Sequence, residues 1–326
     1  MRREARRRRV AAPLRPLLLE IAADEDDEGR AWAALAELPA EQWGSVRSTA
    51  VAMLGKLRGV PESRLVELLE AQGDVGRARG RLGARSSVRR ARAAHLLGLV
   101  RDEASVPGLS ELLSDSSPDV RRVAARALGR IGDPEVAAAV LDAVPAARGR
   151  GGLPSWIAAE ALLEMRPGPV LSRTVCRALV SPEVGVRDVG VTVAAYSNMP
   201  EALAVIRECL HFETVLDVKE GMIQALGRLG GAEDVALIAA YTGRYAPPHL
   251  RRTCVRALGQ IGGAEAFERL SELLGAPDRA SAVLAAEALA QSGPAGTRVL
   301  EAAASQSASV ARVVSAALHK VRLSSV

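Results

Sequence analysis

Apolar residues recur along most of the chain at the spacing of an α-helix, in paired segments separated by short polar breaks. Residues 106–113 place Val and Leu side chains on one helical face, and a second apolar face extends to Ile131. Between them, residues 114–118 form a polar break that ends in Pro, and Gly132 follows the second segment as a helix stop. Since no segment keeps a strand-like alternation, this pattern predicts helical hairpins.

The second helix of this hairpin recurs at a nearly constant interval. The phrase RRVAARALGRIG at 121–132 has copies that align on one apolar residue, 29 to 34 residues apart. The aligned positions are Leu97, Leu128, Leu162, Ala194, Leu226, Leu258, Leu289 and Leu318. One such hairpin buries too little apolar surface to be stable alone, whereas stacked hairpins share a core. This spacing therefore predicts a stack of helical hairpins over residues 73–322.

Residues 11–72 do not follow the repeat and are expected to form an N-terminal helical cap. Apolar segments and Pro breaks predict helices near 11–22, 28–37, 41–57 and 61–71. Trp32 and Trp43 are expected to pack inside this cap. Residues 1–10, MRREARRRRV, are predicted to be a basic disordered tail.

The best copy, SDSSPDVRRVAARALGRIGD at 114–133, resembles the HEAT-repeat superfamily, and more closely the short bacterial HEAT-like repeats also found in phycobilin lyases. This resemblance covers about residues 73–322. With the repeat pattern it implies an all-α fold, a right-handed α-solenoid of about eight HEAT-like helical hairpins behind the cap. It says little about function, because one fold hosts many roles.

The same resemblance implies a ladder of hydrogen bonds between an Asp that ends the first helix and an Arg early in the second. Asp115 and Arg121 occupy these positions in the best copy. Arg90, Arg187, Lys219 and Arg251 stand in the column of Arg121. Copies three, seven and eight carry Ser155, Ala282 and Ala311 there, so the ladder is expected to break at those points.

The whole chain also resembles actinobacterial HEAT-repeat proteins in which one membrane helix precedes an Arg-rich juxtamembrane segment. This sequence lacks that helix, and it contains no run of eighteen apolar residues that would span a bilayer. Either a true start lies upstream, or this member is soluble. We expect a cytoplasmic protein that lies peripherally at the inner face of the plasma membrane.

Composition narrows the possible functions. Aromatic residues make up 2% of the chain, which suits closely packed helices. Cys176, Cys209 and Cys254 lie among apolar neighbours and are expected to be buried, and no metal-ligand or nucleotide-binding motif occurs. The acidic run 24–28 is better explained by a solvated helix start than by a cation site. We therefore predict no catalytic residue, no metal and no cofactor.

Charge is unevenly distributed. Residues 1–15 hold seven Arg and one acid, and residues 75–101 hold eight Arg and no acid, although the net charge of the whole chain is only +5. The tail, Arg2, Arg3, Arg6, Arg7, Arg8 and Arg9, is predicted to lie against an anionic membrane surface. A merely solvated tail and a solvated Arg face are the alternatives.

The predicted function is a non-catalytic protein–protein interaction scaffold or adaptor, whose partner lies in the groove lined by the second helices. The predicted partner-binding residues are Arg77, Arg81, Arg89, Arg92, Arg122, Arg126, Arg252 and Arg256. One alternative is an enzyme or enzyme subunit of the phycobilin lyase type. Another is a nucleic-acid-binding HEAT-like protein that uses the basic blocks.

Overall fold

The computed structural model describes residues 11–26, 28–145, 151–243, 245–276, 278–305 and 307–324, with the backbone alone for 320–324. These residues form α-helices and short 3-10 turns, and no strand occurs among them. The first ten helices are α1 (Arg15–Ala22), α2 (Arg30–Ala36), α3 (Ala40–Leu54), α4 (Val60–Ala71), α5 (Asp74–Arg79), α6 (Ser87–Leu99), α7 (Val106–Glu111), α8 (Pro118–Ile131), α9 (Ala137–Asp142) and α10 (Ser155–Glu164). The other ten are α11 (Pro169–Leu179), α12 (Val184–Tyr196), α13 (Ala202–Leu210), α14 (Leu216–Leu229), α15 (Val235–Ala239), α16 (Pro248–Ile261), α17 (Gly263–Leu273), α18 (Arg279–Gln291), α19 (Gly293–Ala304) and α20 (Ala308–Ser324).

Helices α5 to α20 pair into eight hairpins, with the even-numbered helix second in each. The prediction of an all-α repeat fold is therefore confirmed. The aligned apolar residues mark the core: Leu97, Leu128, Leu162, Ala194, Leu226, Leu258 and Leu289 have no exposed surface. Leu318, near the end of the last helix, is half-buried.

The chain divides into two compact units, residues 1–166 and residues 167–326. In the N-terminal unit, α6 packs on α8 and α8 packs on α10. In the C-terminal unit, α12, α14, α16, α18 and α20 pack in sequence in the same way. The division between cap and repeats at residue 72 stays a prediction.

The hairpin that α7 and α8 form shows why the sequence folds this way. Pro118 occupies the first turn of α8, where its missing N–H costs no hydrogen bond. Gly132 ends α8 with φ of 80°, and its N–H donates to the carbonyl of Leu128. This left-handed conformation suits glycine because it has no Cβ. The predicted helix stop is confirmed.

Small residues bring neighbouring second helices into close contact. A Cβ on Gly129 of α8 would lie 2.7 Å from both the Cα and the carbonyl oxygen of Ala161 on α10. A Cβ on Gly98 of α6 would likewise lie 2.6 Å from the Cα of Ala127 on α8. A larger side chain at either glycine would push backbone against backbone, so these positions set the spacing of the stack.

The cap helices lie where the sequence predicts them, and their two tryptophans differ in burial. The Trp43 ring is buried, and its Nε1 donates to Asp74 at 2.6 Å. The Trp32 ring is half-buried, and its Nε1 donates to the carbonyl of Arg64. Within the acidic run, Asp26 is buried because its carboxylate accepts the N–H groups of Ala31 and Trp32 at the start of α2. That carboxylate therefore caps the amino end of α2, as expected for an acid at a helix start, but it is buried and not solvated.

The ladder joins consecutive hairpins. Arg90 donates to the Asp115 carboxylate of the next hairpin and to the carbonyl of Ala84 in its own turn. Arg121 donates to the backbone carbonyls of Asp115 and Gly151. The Asp115 carboxylate thus pairs with the arginine of the preceding hairpin, because that arginine projects towards the next turn.

The C-terminal unit repeats this arrangement. Arg187 donates to the Glu213 carboxylate of the next hairpin and to the carbonyl of Ser181 in its own turn. Arg251 lies 3.7 Å from Asp278. Lys219, in the same column, lies 5.1 Å from the centre of the Tyr241 ring, so a cation–π contact replaces the ion pair there.

No described helix is long and apolar enough to cross a membrane. The predicted disordered tail, residues 1–10, lies outside the described residues.

Candidate protein-interaction site

The second helices of the N-terminal unit place two rows of side chains beside each other. Helix α8 carries Arg122, Arg126 and Arg130 at four-residue intervals, so these side chains share one helical face. Helix α10 carries Trp156 and Glu160 at the same interval. Because α8 packs on α10, the two rows are adjacent.

Arg126 joins the two rows. Its Nε and Nη2 donate to the Glu160 carboxylate at 3.0–3.1 Å, and its guanidinium carbon lies 5.4 Å from the centre of the Trp156 ring. The paired carboxylate fixes the guanidinium over the indole. Trp156 nevertheless remains 60% exposed. We call Arg126, Trp156 and Glu160 the Trp156 cluster.

The local sequence explains why this indole faces solvent. Pro154 precedes α10, which begins at Ser155, so Trp156 lies in its first turn. Ile157 and Ala158, the next two residues, are buried and orient the helix. The opposite face of the helix therefore presents Trp156.

The arginines on either side of Arg126 have acidic neighbours. Arg122 forms an ion pair with Asp119 one turn earlier on α8. Burial raises the pKa of the Glu164 carboxyl, the Arg130 charge opposes this rise and the Glu160 charge adds to it, so the pKa of Glu164 lies above its ordinary value. These charges largely cancel along this face.

A cleft of about 630 Å³ opens beside Glu164, at the carboxyl ends of α3, α6, α8 and α10. Its charged lining consists of Arg58, Arg101, Arg130, Arg166, Glu62, Glu103 and Glu164. Arg101 lies 3.9 Å from Glu62, and Arg166 lies 3.6 Å from Glu103. Four arginines thus face three glutamates, so most of the charge within the cleft is paired.

The C-terminal unit carries a related contact. The Arg228 guanidinium on α14 lies 4.5 Å from the centre of the Tyr196 ring on α12, and Tyr196 is 61% exposed. His249 on α16 lies 3.1 Å from Glu220 on α14. Of the predicted partner-binding residues on α16, Arg252 is half-buried and Arg256 is exposed.

The predicted partner-binding arginines between residues 75 and 101 fall into two groups in the structure. Arg77 donates to the Asp74 carboxylate at 2.8 Å and shares that carboxylate with Arg47. Arg81, Arg89 and Arg92 are exposed. The predicted membrane-surface residues Arg2–Arg9 lie outside the described residues.

The cysteines differ in burial. Cys254 is buried as predicted, and burial raises the pKa of its thiol to about 12. Cys176 and Cys209 are half-buried rather than fully buried, and partial burial raises the pKa of each thiol. A raised pKa leaves little thiolate at neutral pH, which argues against a nucleophilic role. Among the described residues, no group of three or more His, Cys, Asp or Glu could hold a metal ion.

The aromatic residues are the feature that sequence reasoning missed. All eight belong to the described residues, and of these Trp43 alone is buried. Trp156, Tyr196, Phe212 and Tyr245 are 60–85% exposed. The scarcity of aromatic residues correctly suggests close helix packing, but it hides that half of them lie at the surface.

The alignment of the repeat copies could have indicated that two of these rings, Trp156 and Tyr196, are exposed. Trp156 stands six residues before its aligned apolar residue, as Arg122 does in the preceding copy. Tyr196 stands two residues after its aligned residue, as Arg130 and Arg228 do. Most copies carry a charged or polar residue in these two columns, so an aromatic residue there predicts an exposed ring.

Comparisons with known proteins agree with the fold. Residues 80–150 match the family of HEAT repeats, and residues 250–275 match the PBS lyase HEAT-like repeat family. A search of curated protein sequences finds no match.

Three solved structures are similar to this chain to different degrees. A Kap121p mutant superposes with a TM-score of 0.54 at 11% identity, over 82% of this chain and 34% of that one. An engineered protein has a TM-score of 0.42 at 18% identity, over 95% of this chain and 98% of that one. The complex of CpcE and CpcF of phycocyanin lyase from Nostoc has a TM-score of 0.34 at 20% identity, over 75% of this chain and 94% of that one.

The superposition on Kap121p concerns the fold alone, and the family matches identify individual repeats. The chain therefore contains HEAT repeats at residues 80–150 and a PBS-lyase HEAT-like repeat at residues 250–275. The eight hairpins show that the same helical-repeat fold continues along the described residues from 74 onward.

Proposed function

We propose that this protein is a non-catalytic interaction scaffold that binds a protein partner through the second-helix face of its N-terminal unit. The main support for the proposal is the exposure of Trp156. This large aromatic side chain is 60% exposed in a chain with very few aromatic residues. Tryptophan, tyrosine and arginine dominate the residues that contribute most to protein binding.

The Trp156 cluster is also prepared for binding. Two charge-assisted contacts from Arg126 to Glu160 hold the guanidinium against the indole before any partner arrives. A side chain that is already ordered loses less conformational entropy on association. The cluster therefore offers an apolar ring surrounded by hydrogen-bonding groups, which suits a protein surface.

The proposal also includes several more detailed predictions. Arg122 and Arg126 belong to the second-helix face of the N-terminal unit. Arg252 and Arg256 are proposed as partner-binding residues of the C-terminal unit, taken by itself. Attachment to an anionic membrane surface through Arg2–Arg9, and a cytoplasmic location, stay predictions.

The test is affinity capture from the native cell with matched variants. Trp156→Ala should weaken capture of a specific partner by at least about thirtyfold, as expected for an interface residue that contributes about 2 kcal/mol. Phe212→Ala is the control, because Phe212 is 85% exposed but lies after α13, outside the second-helix face. Equal loss with both variants, or no loss with Trp156→Ala, would contradict the proposal.

A further inference from the structure

The structure separates the eight arginines between residues 75 and 101 into two groups of four. Arg77, Arg79, Arg90 and Arg101 each have a carboxylate partner, namely Asp74, Asp102, Asp115 and Glu62. Arg81, Arg85, Arg89 and Arg92 are exposed, and no carboxylate within the described part of the chain pairs with them. We call this second group the unpaired arginines.

The unpaired arginines lie close together along the chain. Arg81 and Arg85 belong to the turn between α5 and α6, and Arg89 and Arg92 lie three residues apart on the first two turns of α6. Residues three apart share a helical face, so Arg89 and Arg92 present their charges together. With Arg81 and Arg85 in the preceding turn, they make up an arginine patch. The exposed Val88 side chain lies among them.

This patch does not serve the stability of α6. The amino end of a helix carries a partial positive charge, which disfavours arginines and favours acids. The equivalent helices α8 and α14 carry Asp119 and Asp217 in their first turns, whereas α6, like α10, α12, α16 and α18, carries no acid there. Ser86 is the N-cap of α6 but makes no capping hydrogen bond through its side chain. A Glu at the third helical position, which Arg89 occupies, would complete a capping box with Ser86.

Since folding does not explain these charges, we infer that the unpaired arginines bind an acidic segment of a protein partner. An arginine guanidinium binds a carboxylate through two parallel hydrogen bonds. Carboxylates spaced along a segment would therefore bind several of these guanidinium groups at once. Val88 supplies an apolar contact for a neighbouring side chain of that segment. The patch shares no residue with the Trp156 cluster and does not depend on the function proposed above.

Two other polyanions fit these residues less well. Single-stranded nucleic acid is bound by basic grooves that also stack bases on aromatic rings, and residues 73–101 contain no Phe, Trp or Tyr. A helix that lies on a membrane surface buries an apolar face in addition to its charged residues. Val88 is the sole large apolar side chain exposed within this block.

The experiment uses the full-length protein and a short fluorescein-labelled peptide of repeated Glu-Glu-Leu. The variant is Arg85→Glu together with Arg89→Glu, and the control is Arg173→Glu together with Arg177→Glu, which reverses two exposed charges on α11. We expect wild type and control to bind the peptide, and the first variant to bind at least about tenfold more weakly. Binding should also weaken as salt is added.

Thermal unfolding separates a binding role from a structural role. Because Arg89→Glu completes the capping box and removes repulsion, the first variant should melt about 1–3 °C higher than wild type. Lower binding with a higher melting temperature supports the inference. It is overturned if the melting temperature falls, if the control loses as much binding, or if the wild type fails to bind the peptide. Loss of single-stranded DNA or anionic vesicle binding in the first variant, without loss of peptide binding, would also overturn it.

Discussion

Arg90 holds Asp115, which lies 25 residues ahead in the next hairpin, through two parallel hydrogen bonds of 2.6 and 2.8 Å. The same guanidinium also donates to the carbonyl of Ala84 in its own turn. A single side chain therefore connects two consecutive turns of the N-terminal unit. Both side chains are largely buried, with 14% of Arg90 and 6% of Asp115 exposed.

Removal of Arg90 should destabilise the protein. Arg90→Ala leaves the Asp115 carboxylate buried without its cation, and we expect a loss of about 2–4 kcal/mol in the free energy of unfolding. Urea denaturation followed by circular dichroism measures this loss. Arg89→Ala is the matched control, because the neighbouring Arg89 is exposed and makes no ion pair among the described residues. A similar stability for both variants would contradict the role of the ladder.

At acidic pH, the free energy of unfolding should depend on pH largely through the carboxylates that are hydrogen-bonded to arginines. Burial alone would raise the pKa of Asp115, Glu213 and Asp234, but hydrogen bonds from Arg90, Arg187 and Arg207 and from backbone N–H groups outweigh it, so each pKa lies below its ordinary value. The unfolded chain therefore binds these protons more readily than the folded chain does.

This difference fixes the pH range of the effect. Above the ordinary pKa values of 3.8 and 4.5 the carboxylates contribute their full stabilisation. As the pH falls through the lower pKa values of the folded state, that contribution is lost. In urea denaturation, the contribution of these three carboxylates should be nearly constant from pH 7 to about pH 5.5 and should decrease steeply below about pH 4. Asp115→Asn should flatten part of that decrease, and an unchanged pH profile in this variant would exclude Asp115 as a source.

The same substitution at two helical glycines should have opposite effects. In Gly129→Ala the new methyl group would lie 2.7 Å from the Ala161 backbone, so we expect a loss of about 1–3 kcal/mol. Gly44 lies inside α3 with nothing within 4 Å of its Cβ position. Gly44→Ala should therefore stabilise the protein by about 0.5–1 kcal/mol, since alanine favours helix more than glycine does. Chemical denaturation of both variants checks the signs, and stabilisation by Gly129→Ala would show that the helices do not approach so closely.

These sites show what the sequence could predict and what it could not. The period and the position of Gly132 indicate the hairpins and their core, because apolar spacing and helix stops are local properties. The partner of Asp115 could not be assigned from one copy, since Arg121 is closer in sequence but Arg90 is the residue that reaches the carboxylate. The stacking of Arg126 on Trp156 was missed for a similar reason, because it joins residues of different hairpins.

Thiol reactivity tests the burial of the cysteines. Burial raises the pKa of Cys254 to about 12, and the nearby Glu220 charge adds to this effect. At pH 8 an aromatic disulfide reagent should react with Cys254 only as the protein unfolds, and slowly with the half-buried Cys176 and Cys209. Cys254→Ser should leave the reaction of the folded protein unchanged. A fast phase that disappears in this variant would show that the thiol is accessible.

The basic tail provides the last prediction. Six arginines lie among the first nine residues, and each contributes about 1 kcal/mol near an anionic bilayer, which gives roughly 5 kcal/mol in all. The full-length protein should therefore sediment with vesicles that contain phosphatidylserine and not with neutral vesicles, and salt should weaken this binding. Deletion of residues 1–9 should abolish most of it. Undiminished binding after the deletion would move the membrane contact to Arg77–Arg101, and reversal of Arg85 and Arg89 in the shortened chain would then decide whether the unpaired arginines make that contact.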